Sequence, residues 1–246
     1  MNQDNKKYIA LVLVALILSA GLIASTVIAT NGLVEIKGSR SITVTGSAKQ
    51  QIKSDLIVWK GSFSCQSPVM SEAYAKLKDD SLKVKSYLKG KGIDEKDMVF
   101  TSIDTNPIYE MNYNGQYTNN IIAYRLYQRV ELKSADVDKL TQISREATEL
   151  MNEGVEFQSF QPEYFYTRIA DLKVSMLAEA TKDAKNRAEQ ISQNTGSRIG
   201  ALKSAKMGVF QITPLYSTEV ADYGINDTSS LEKEITAVVT CTFEMK

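Results

Sequence analysis

The chain has 246 residues, 43% of them hydrophobic, with Lys+Arg 29 balancing Asp+Glu 29. That is ample core material for one large or two small domains, and no net charge pulls the chain toward nucleic acid. Histidine is absent and Cys65 and Cys241 are the two cysteines, which excludes a Ser-His-Asp triad, a Cys-His pair, histidine metal ligands and a four-cysteine zinc site.

Residues 1–7 (MNQDNKK) read as a short cytoplasmic leader. Residues 8–30, YIALVLVALILSAGLIASTVIAT, carry no charge. About 20 apolar residues cross the hydrocarbon core of a bilayer as a helix, whereas the apolar part of a signal peptide usually runs about 7–15. The expectation is an uncleaved transmembrane signal anchor. Val27-Ile28-Ala29 has small residues at a spacing that leaves cleavage as the alternative. Lys6 and Lys7 precede the run, but Lys37, Arg40 and Lys49 follow it, so basic residues alone do not orient it. A short basic leader before an apolar run resembles an export signal, and the expectation is a single-pass protein of the cell membrane. Its C-terminal domain would then lie in the periplasm or outside the cell. Residues 31–40 (NGLVEIKGSR) read as a tether, and residues 41–246 as the exported domain.

Ser41–Ser47 alternates, with Ile42 and Val44 on one side. Asp55–Cys65 alternates more strongly, placing Ile57, Trp59, Phe63 and Cys65 on one face. Both patterns predict half-buried strands. After Pro68 and Ser71 a helix is predicted, with Tyr74, Leu77, Ser81, Val84 and Leu88 as its apolar stripe and Gly90 and Gly92 as its stop. Residues 98–109 and 121–133 predict two strands around the loop EMNYNGQYTNN, in which Asn114-Gly115 is a turn signal. A second amphipathic helix is expected from near Ser134, carrying Val137, Leu140, Ile143, Ala147 and Leu150 to a stop at Gly154. The strand VEFQSFQ follows. Then comes a long helix over Arg168–Thr195, striped by Ile169, Leu172, Met176, Ala180, Ala184, Ala188 and Ile191 and ended by Gly196. Residues 201–213 predict a strand, 214–232 a flexible insertion, and Ile235–Met245 a last strand with Ile235, Ala237, Val239, Cys241, Phe243 and Met245 on one face. Hairpins rather than regular strand–helix–strand crossovers make the fold class α+β.

No nucleotide loop or nucleophile elbow occurs. Asp94, Glu95 and Asp97 cluster at a helix end, where acidic residues ordinarily cap and solvate, and Asp79-Asp80 reads as a solvated helix face among lysines. Cys65 and Cys241 both fall on apolar strand faces and read as unpaired core residues, although an exported chain also permits a disulfide. Five tyrosines crowd residues 109–127. Tyr124 shares a parity with Leu126 and Val130 and is expected to face the core, Tyr109 and Tyr127 lie in the flanking strands, and Tyr113 and Tyr117 are interface candidates, with plain loop packing as the alternative.

The stretch SITVTGSAKQQIKSDLIVWKGSFS resembles the opening hairpin of the SIMPL-domain family of exported bacterial proteins. Ser54-Asp55 stands where proline-Asp is common in that family. LKGKGIDEKDMVFTSIDTNPIYE, IIAYRLYQRVELKSADVDKL, the alanine-rich AEATKDAKNRAEQIS and the closing VVTCTFEMK are also similar to it, so the resemblance covers about residues 39–246. It implies a two-lobed α+β domain, here preceded by one transmembrane helix, whose relatives assemble into large rings and are loosely associated with oxidative and envelope stress. The family has no established catalytic motif, so no catalytic, cofactor or metal residue carries over.

The chain is therefore expected to be a non-enzymatic, membrane-anchored homo-oligomeric scaffold without a cofactor and without nucleic acid as partner. A small-ligand or peptide-binding module is the alternative, followed by a carboxylate-dependent hydrolase. The expected topology is testable. The protein should stay with membranes through an alkaline carbonate wash, and protease added to spheroplasts should remove the bulk of the chain. A soluble product starting near Thr30 would establish cleavage instead.

Overall fold

The computed structural model describes residues 13–14, 16–30 and 40–246. The predicted leader, part of the 8–30 run and almost all of the 31–40 tether lie outside the described residues. Within them the fold is mixed α+β, with four α-helices and two sheets. Helix α1 takes in residues 13–14 and 16–30, all of whose side chains are exposed. Among the described residues no helix is long and apolar enough to cross a membrane.

The described residues form two compact units. The larger consists of Ala48–Met176 and Val209–Ala237. The smaller consists of the described residues up to Ser47 with Leu177–Gly208 and Val238–Lys246.

The larger unit is built on β2 (Leu56–Ser67) and β5 (Tyr117–Ser134), paired antiparallel from Ile57↔Ser134 to Ser67↔Tyr124. Around them lie β3 (Met98–Phe100) and β4 (Asp104–Met111) on β5, and β6 (Glu156–Ser159) and β7 (Glu163–Phe165) on β2. The period-two pattern settles which face is buried. Ile57, Trp59, Phe63 and Cys65 point inward with Leu126, Val130 and Leu132 of β5. Gly61 shares that parity because the ring of Phe157 occupies the space a side chain would need; a Cβ there would lie 2.3 Å from Cζ.

Two helices cover this face, α2 (Met70–Gly90) and α3 (Val137–Glu146). Asp136 caps α3, its Oδ1 accepting from the Lys139 amide at 3.1 Å, as a helix start with unsatisfied amides favours. The helix tightens into a 3-10 stretch over Ala147–Glu153 and ends at Gly154. Its predicted stripe of Val137, Leu140, Ile143, Ala147 and Leu150 is buried throughout. Each such aliphatic side chain contributes about 1.5–3 kcal/mol by leaving water. The one buried indole is satisfied as well. Trp59 Nε1 donates to Ser159 Oγ at 3.0 Å, which donates to the Ser144 carbonyl at 2.6 Å.

In α2 the buried residues are Ala73, Leu77, Asp80, Val84 and Leu88. Leu77, Val84 and Leu88 are buried as expected, but Ala73 and Asp80 take the places expected for Tyr74 and Ser81, so Tyr74 turns outward and Asp80 turns in. Of the acidic pair, Asp79 stays on the solvated face, paired with Lys83 at 3.1 Å, but Asp80 does not, being 1% exposed. The helix ends at Gly90, and Gly92 (φ +76°) reverses the chain beyond it.

In the smaller unit, α4 (Ile169–Asn194) contributes its residues from Leu177 on, whose buried side chains Ala180, Ala184, Ala188 and Ser192 recur every fourth residue. The last place belongs to Ser192 rather than Ile191, which is exposed. Small side chains let the helix approach β1 (Ser41–Lys53) to backbone contact. A Cβ on Gly46 would sit 2.2 Å from both the Ala180 carbonyl oxygen and the Ala184 nitrogen. Beside this crossing the Ser47 amide donates to Asp183 Oδ2 at 2.8 Å, and Arg187 Nε pairs with the same oxygen at 2.8 Å. The Ser47 amide first and Arg187 second hold the Asp183 carboxyl below its ordinary range. On the other face of the strands, Thr43 and Thr242 hydroxyls bond at 3.0 Å and Thr45 and Thr240 at 3.1 Å. The partners Thr240 and Thr242 belong to β11 (Glu232–Met245), which is also paired with β8 (Ile199–Met207).

The segment 214–232 is not a free insertion. Its first part exposes Tyr216, Val220 and Tyr223, but β10 (Ile225–Asn226) pairs parallel with β9 (Gln211–Pro214), itself antiparallel to the first residues of β11. The Asp227 amide reaches the Ile212 carbonyl at 2.9 Å, the Tyr164 amide the Thr228 carbonyl at 2.7 Å and the Ser54 amide the Leu231 carbonyl at 2.9 Å. The apolar face of β11 begins one step earlier than its sequence suggests, at Lys233. That side chain is 3% exposed and its Nζ donates to the carbonyls of Tyr164, at 2.7 Å, and Asp227.

Replacing Gly46 with alanine sets a methyl group against backbone that cannot move aside. Overpacking of this kind costs about 1–3 kcal/mol or more, and Gly46→Ala should lie at the upper end in chemical denaturation. Ser47→Ala keeps the amide bond to Asp183 and should stay near wild type. Equal stability of Gly46→Ala and wild type would contradict the close crossing.

Candidate association surface

The ladder between β2 and β5 stops at Ser67↔Tyr124. Strand β5 extends beyond it to Tyr117, and there its pairing among the described residues is with β4 through Ile108↔Ala123, Tyr109↔Ile121 and Met111↔Tyr117. The result is a two-stranded ribbon. Register irregularities fall on either side of Tyr109, where extra residues bend a strand and strengthen its twist. At the tip, Asn112 Oδ1 accepts from the amides of Asn114 at 3.0 Å and Gln116 at 2.9 Å, a side-chain bond that turns the backbone locally.

Strand β4 is exposed along its length except at half-buried Ile108. Tyr113 and Tyr117 are exposed at the tip, with Tyr109, Met111, Ile121 and Ile122 exposed behind them. Charge is nearly missing from this stretch. Between Thr105 and Tyr124 the one charged residue is Glu110, in a chain that is 24% charged, and its carboxylate takes a 3.0 Å bond from Asn120 Nδ2. Exposed aromatic and sulfur side chains without charges are the composition of an interface core rather than of a solvated loop. The two candidate residues therefore stand on a supported ribbon, not in a packed loop. Tyr124 lies at the root and packs against the core, while Tyr127 lies under the Arg129 guanidinium, 5.5 Å from its ring centre.

A groove of about 830 Å³ opens at the ribbon's root, lined by Val69, Met70 and Tyr74 from the start of α2 and by Ile103, Tyr124 and Leu126 from the strand side; Ser71 and Thr105 add hydroxyls. This groove is not legible when α2 is given the stripe through Tyr74. The spacing Ala73–Leu77, which points Tyr74 outward, is the signal that finds it.

The remaining polar groups perform structural work. Lys76 pairs with Asp80 Oδ1 and reaches the Gly154 carbonyl at 3.3 Å, while Asp80 Oδ2 has no hydrogen-bond partner among the described residues. Cys65 Sγ donates to the Ala73 carbonyl at 3.0 Å. Burial, then the neighbouring Asp80, pushes its thiol up; burial does the same to Cys241. Both cysteines are free and buried, so neither has the lowered pKa of a reactive thiol. Burial pushes the Lys233 amine down, with Asp227 opposing; its acceptors are carbonyls that a neutral amine can still serve. Glu95 of the predicted acidic cluster pairs with Lys89 at 2.6 Å and Lys85 at 3.6 Å, and Lys89 first holds its carboxyl below the ordinary range. Among the described residues no group of three His, Cys, Asp or Glu side chains is placed to hold a metal ion.

No curated protein matches the chain. Among solved structures, an amidase of the hydantoinase/carbamoylase family from Burkholderia phymatum matches at 12% identity and a TM-score of 0.30, over 53% of this chain and 33% of that one. The chain thus spans about a third of the amidase's length, and a likeness this low carries no argument. The family described as SIMPL, protein of unknown function (DUF541), matches residues 42–243. That match takes in nearly all of residues 41–246, and the chain belongs to the SIMPL family.

Proposed function

We propose that the chain is a membrane-anchored, extracytoplasmic SIMPL-domain protein that self-associates into a homo-oligomer, a closed ring, and serves as a non-catalytic scaffold linked to envelope or oxidative stress. The ribbon is the observation that carries this reading. Among the described residues neither a third strand nor a helix covers the ribbon; a two-stranded ribbon is marginal in water by itself, and this one presents tyrosines, methionine and isoleucines with a single charge. It needs something to lie against.

Anchoring supports the same reading. The uncharged 8–30 run is long enough to span a bilayer, and the apolar side chains described in α1 are all exposed. Copies anchored in one plane meet at raised effective concentration, so that weak contacts add. Stable interfaces bury about 1,200–2,000 Å² in total, which a ribbon together with its receiving surface can supply. The stress link rests on family membership. A second reading, a small-ligand or peptide-binding module, is favoured by the open apolar groove. A hydrolase has less support, because the groove's polar lining is hydroxyl rather than carboxylate.

Light scattering of the full-length protein in mild detergent should give a mass several times that of one chain. Changing Tyr113 and Tyr117 together to serine should shift it to smaller species with an unchanged circular dichroism spectrum. A strictly monomeric wild-type protein would remove the scaffold reading and leave the ligand-binding one.

A further inference from the structure

We propose that the open face of the smaller unit's sheet lies on the anionic phospholipid headgroups of the bilayer that holds the anchor. This rests on the anchoring reading above and adds an electrostatic contact to it.

The sheet of this unit has two unlike faces. Helix α4 lies against one, on which Val44, Val239, Cys241 and Phe243 are buried. The other carries the paired hydroxyls of Thr43 with Thr242 and Thr45 with Thr240. Strand β8 continues it, since Lys206 is paired with Thr240 and Ser204 with Thr242, and residues opposite each other on neighbouring strands share a face. Lys203 falls at the register shift between Ser204 and Leu202. Lys203, Ser204 and Lys206 are all exposed.

Further basic residues gather at one end of this face. Lys246 has the parity of Thr240 and Thr242, and its backbone exchanges hydrogen bonds of 2.7 and 3.0 Å with that of Arg198. Both side chains are exposed. Glu244 is the acidic member of the row, half-buried against Gly200.

Little negative charge is at hand to neutralise them. Between Glu189 and Glu219 the sequence has no acidic residue, while Arg198, Lys203 and Lys206 are basic. Among the described residues the ion pairs of this unit join Asp183 to Arg187 and Glu189 to Lys185. Arg198, Lys203, Lys206 and Lys246 are left without a partner carboxylate. Unpaired bases among hydroxyls complement a layer of phosphate groups, which accept charge-assisted hydrogen bonds from both side-chain types.

The position of the anchor names the source of those phosphates. The tether joins the sheet at the basic end, where the Arg40 carbonyl accepts from the Met245 amide at 2.9 Å. Residues 31–40 reach at most about 3.3–3.6 Å each, which keeps that end within roughly 35 Å of the membrane run. The anchor holds the chain at the bilayer, and the basic face decides which side of the unit turns to the lipid. Such contacts act within a Debye length, about 8 Å at physiological ionic strength, and weaken as salt is added.

Full-length protein carrying Ser204→Cys, assembled into lipid nanodiscs, tests this. Cys65 and Cys241 are buried, so an uncharged polymer-linked maleimide reads the new thiol. At low salt its labelling should be several-fold slower in discs of equal phosphatidylcholine and phosphatidylglycerol than in discs of phosphatidylcholine alone. Added salt should bring the two rates together. Introducing Arg198→Gln, Lys203→Gln and Lys206→Gln together should also equalise them, with circular dichroism checking the fold. Equal rates in the two kinds of disc before those changes would overturn the proposal. Slow labelling that ignores lipid charge, or that survives loss of the three bases, would overturn it too, because another occupant then covers the face. Protein that fails to co-purify with discs of either composition would instead remove the anchoring reading beneath it.

Discussion

The larger unit depends on where the ladder between β2 and β5 ends. From Ile57↔Ser134 to Ser67↔Tyr124 the two strands are paired residue for residue, and over that length one face is covered by α2 and α3. Trp59, Phe63, Leu126 and Val130 are buried as a consequence. Beyond Ser67 the chain turns into α2, but β5 continues to Tyr117 with β4 as its partner. The ribbon and the groove both arise at this point. One is the part of β5 that outruns the sheet; the other is the space left where α2 begins beside it.

The smaller unit obeys a different constraint, the closeness of backbone to backbone. Gly46 lies against Ala180 and Ala184 with no room for a methyl group, and the Ser47 amide is held by Asp183. Helix and strand at this separation gain dispersion contacts along their whole crossing, each small and together large. The alanines of α4 serve this approach, and their spacing of four is that of one ridge on a helix.

Much of this architecture is legible in the sequence because its signals are local and periodic. The alternation in Asp55–Cys65 and Ile235–Met245, the helix over Arg168–Thr195 and the stripe of α3 all follow from side-chain spacing. What is not legible depends on tertiary partners. Asp80 reads as surface because lysines surround it in sequence, yet the buried stripe of α2 keeps Leu77, Val84 and Leu88 and takes Ala73 and Asp80 in place of Tyr74 and Ser81. Lys233 reads as the end of a loop, and its burial is dictated by the carbonyls of Asp227, nearby in the chain, and of Tyr164, which is distant in sequence. Strands as short as β7 and β10 carry no period, so 214–232 looks free when half of it is tied. Tyr113 and Tyr117 were legible as exposed aromatic residues on a turn. The groove was not, since it depends on Ala73 rather than Tyr74 taking the buried place at the start of α2.

In the proposed assembly the ribbon is covered by another copy of the chain. Amide hydrogen exchange of the full-length protein in mild detergent, followed over residues 108–123 as the protein is diluted, tests it most directly. Ribbon amides should exchange slowly at high concentration and speed up as the assembly dissociates, while the amides of β2 remain slow throughout. Ribbon exchange equally fast at every concentration would contradict the claim.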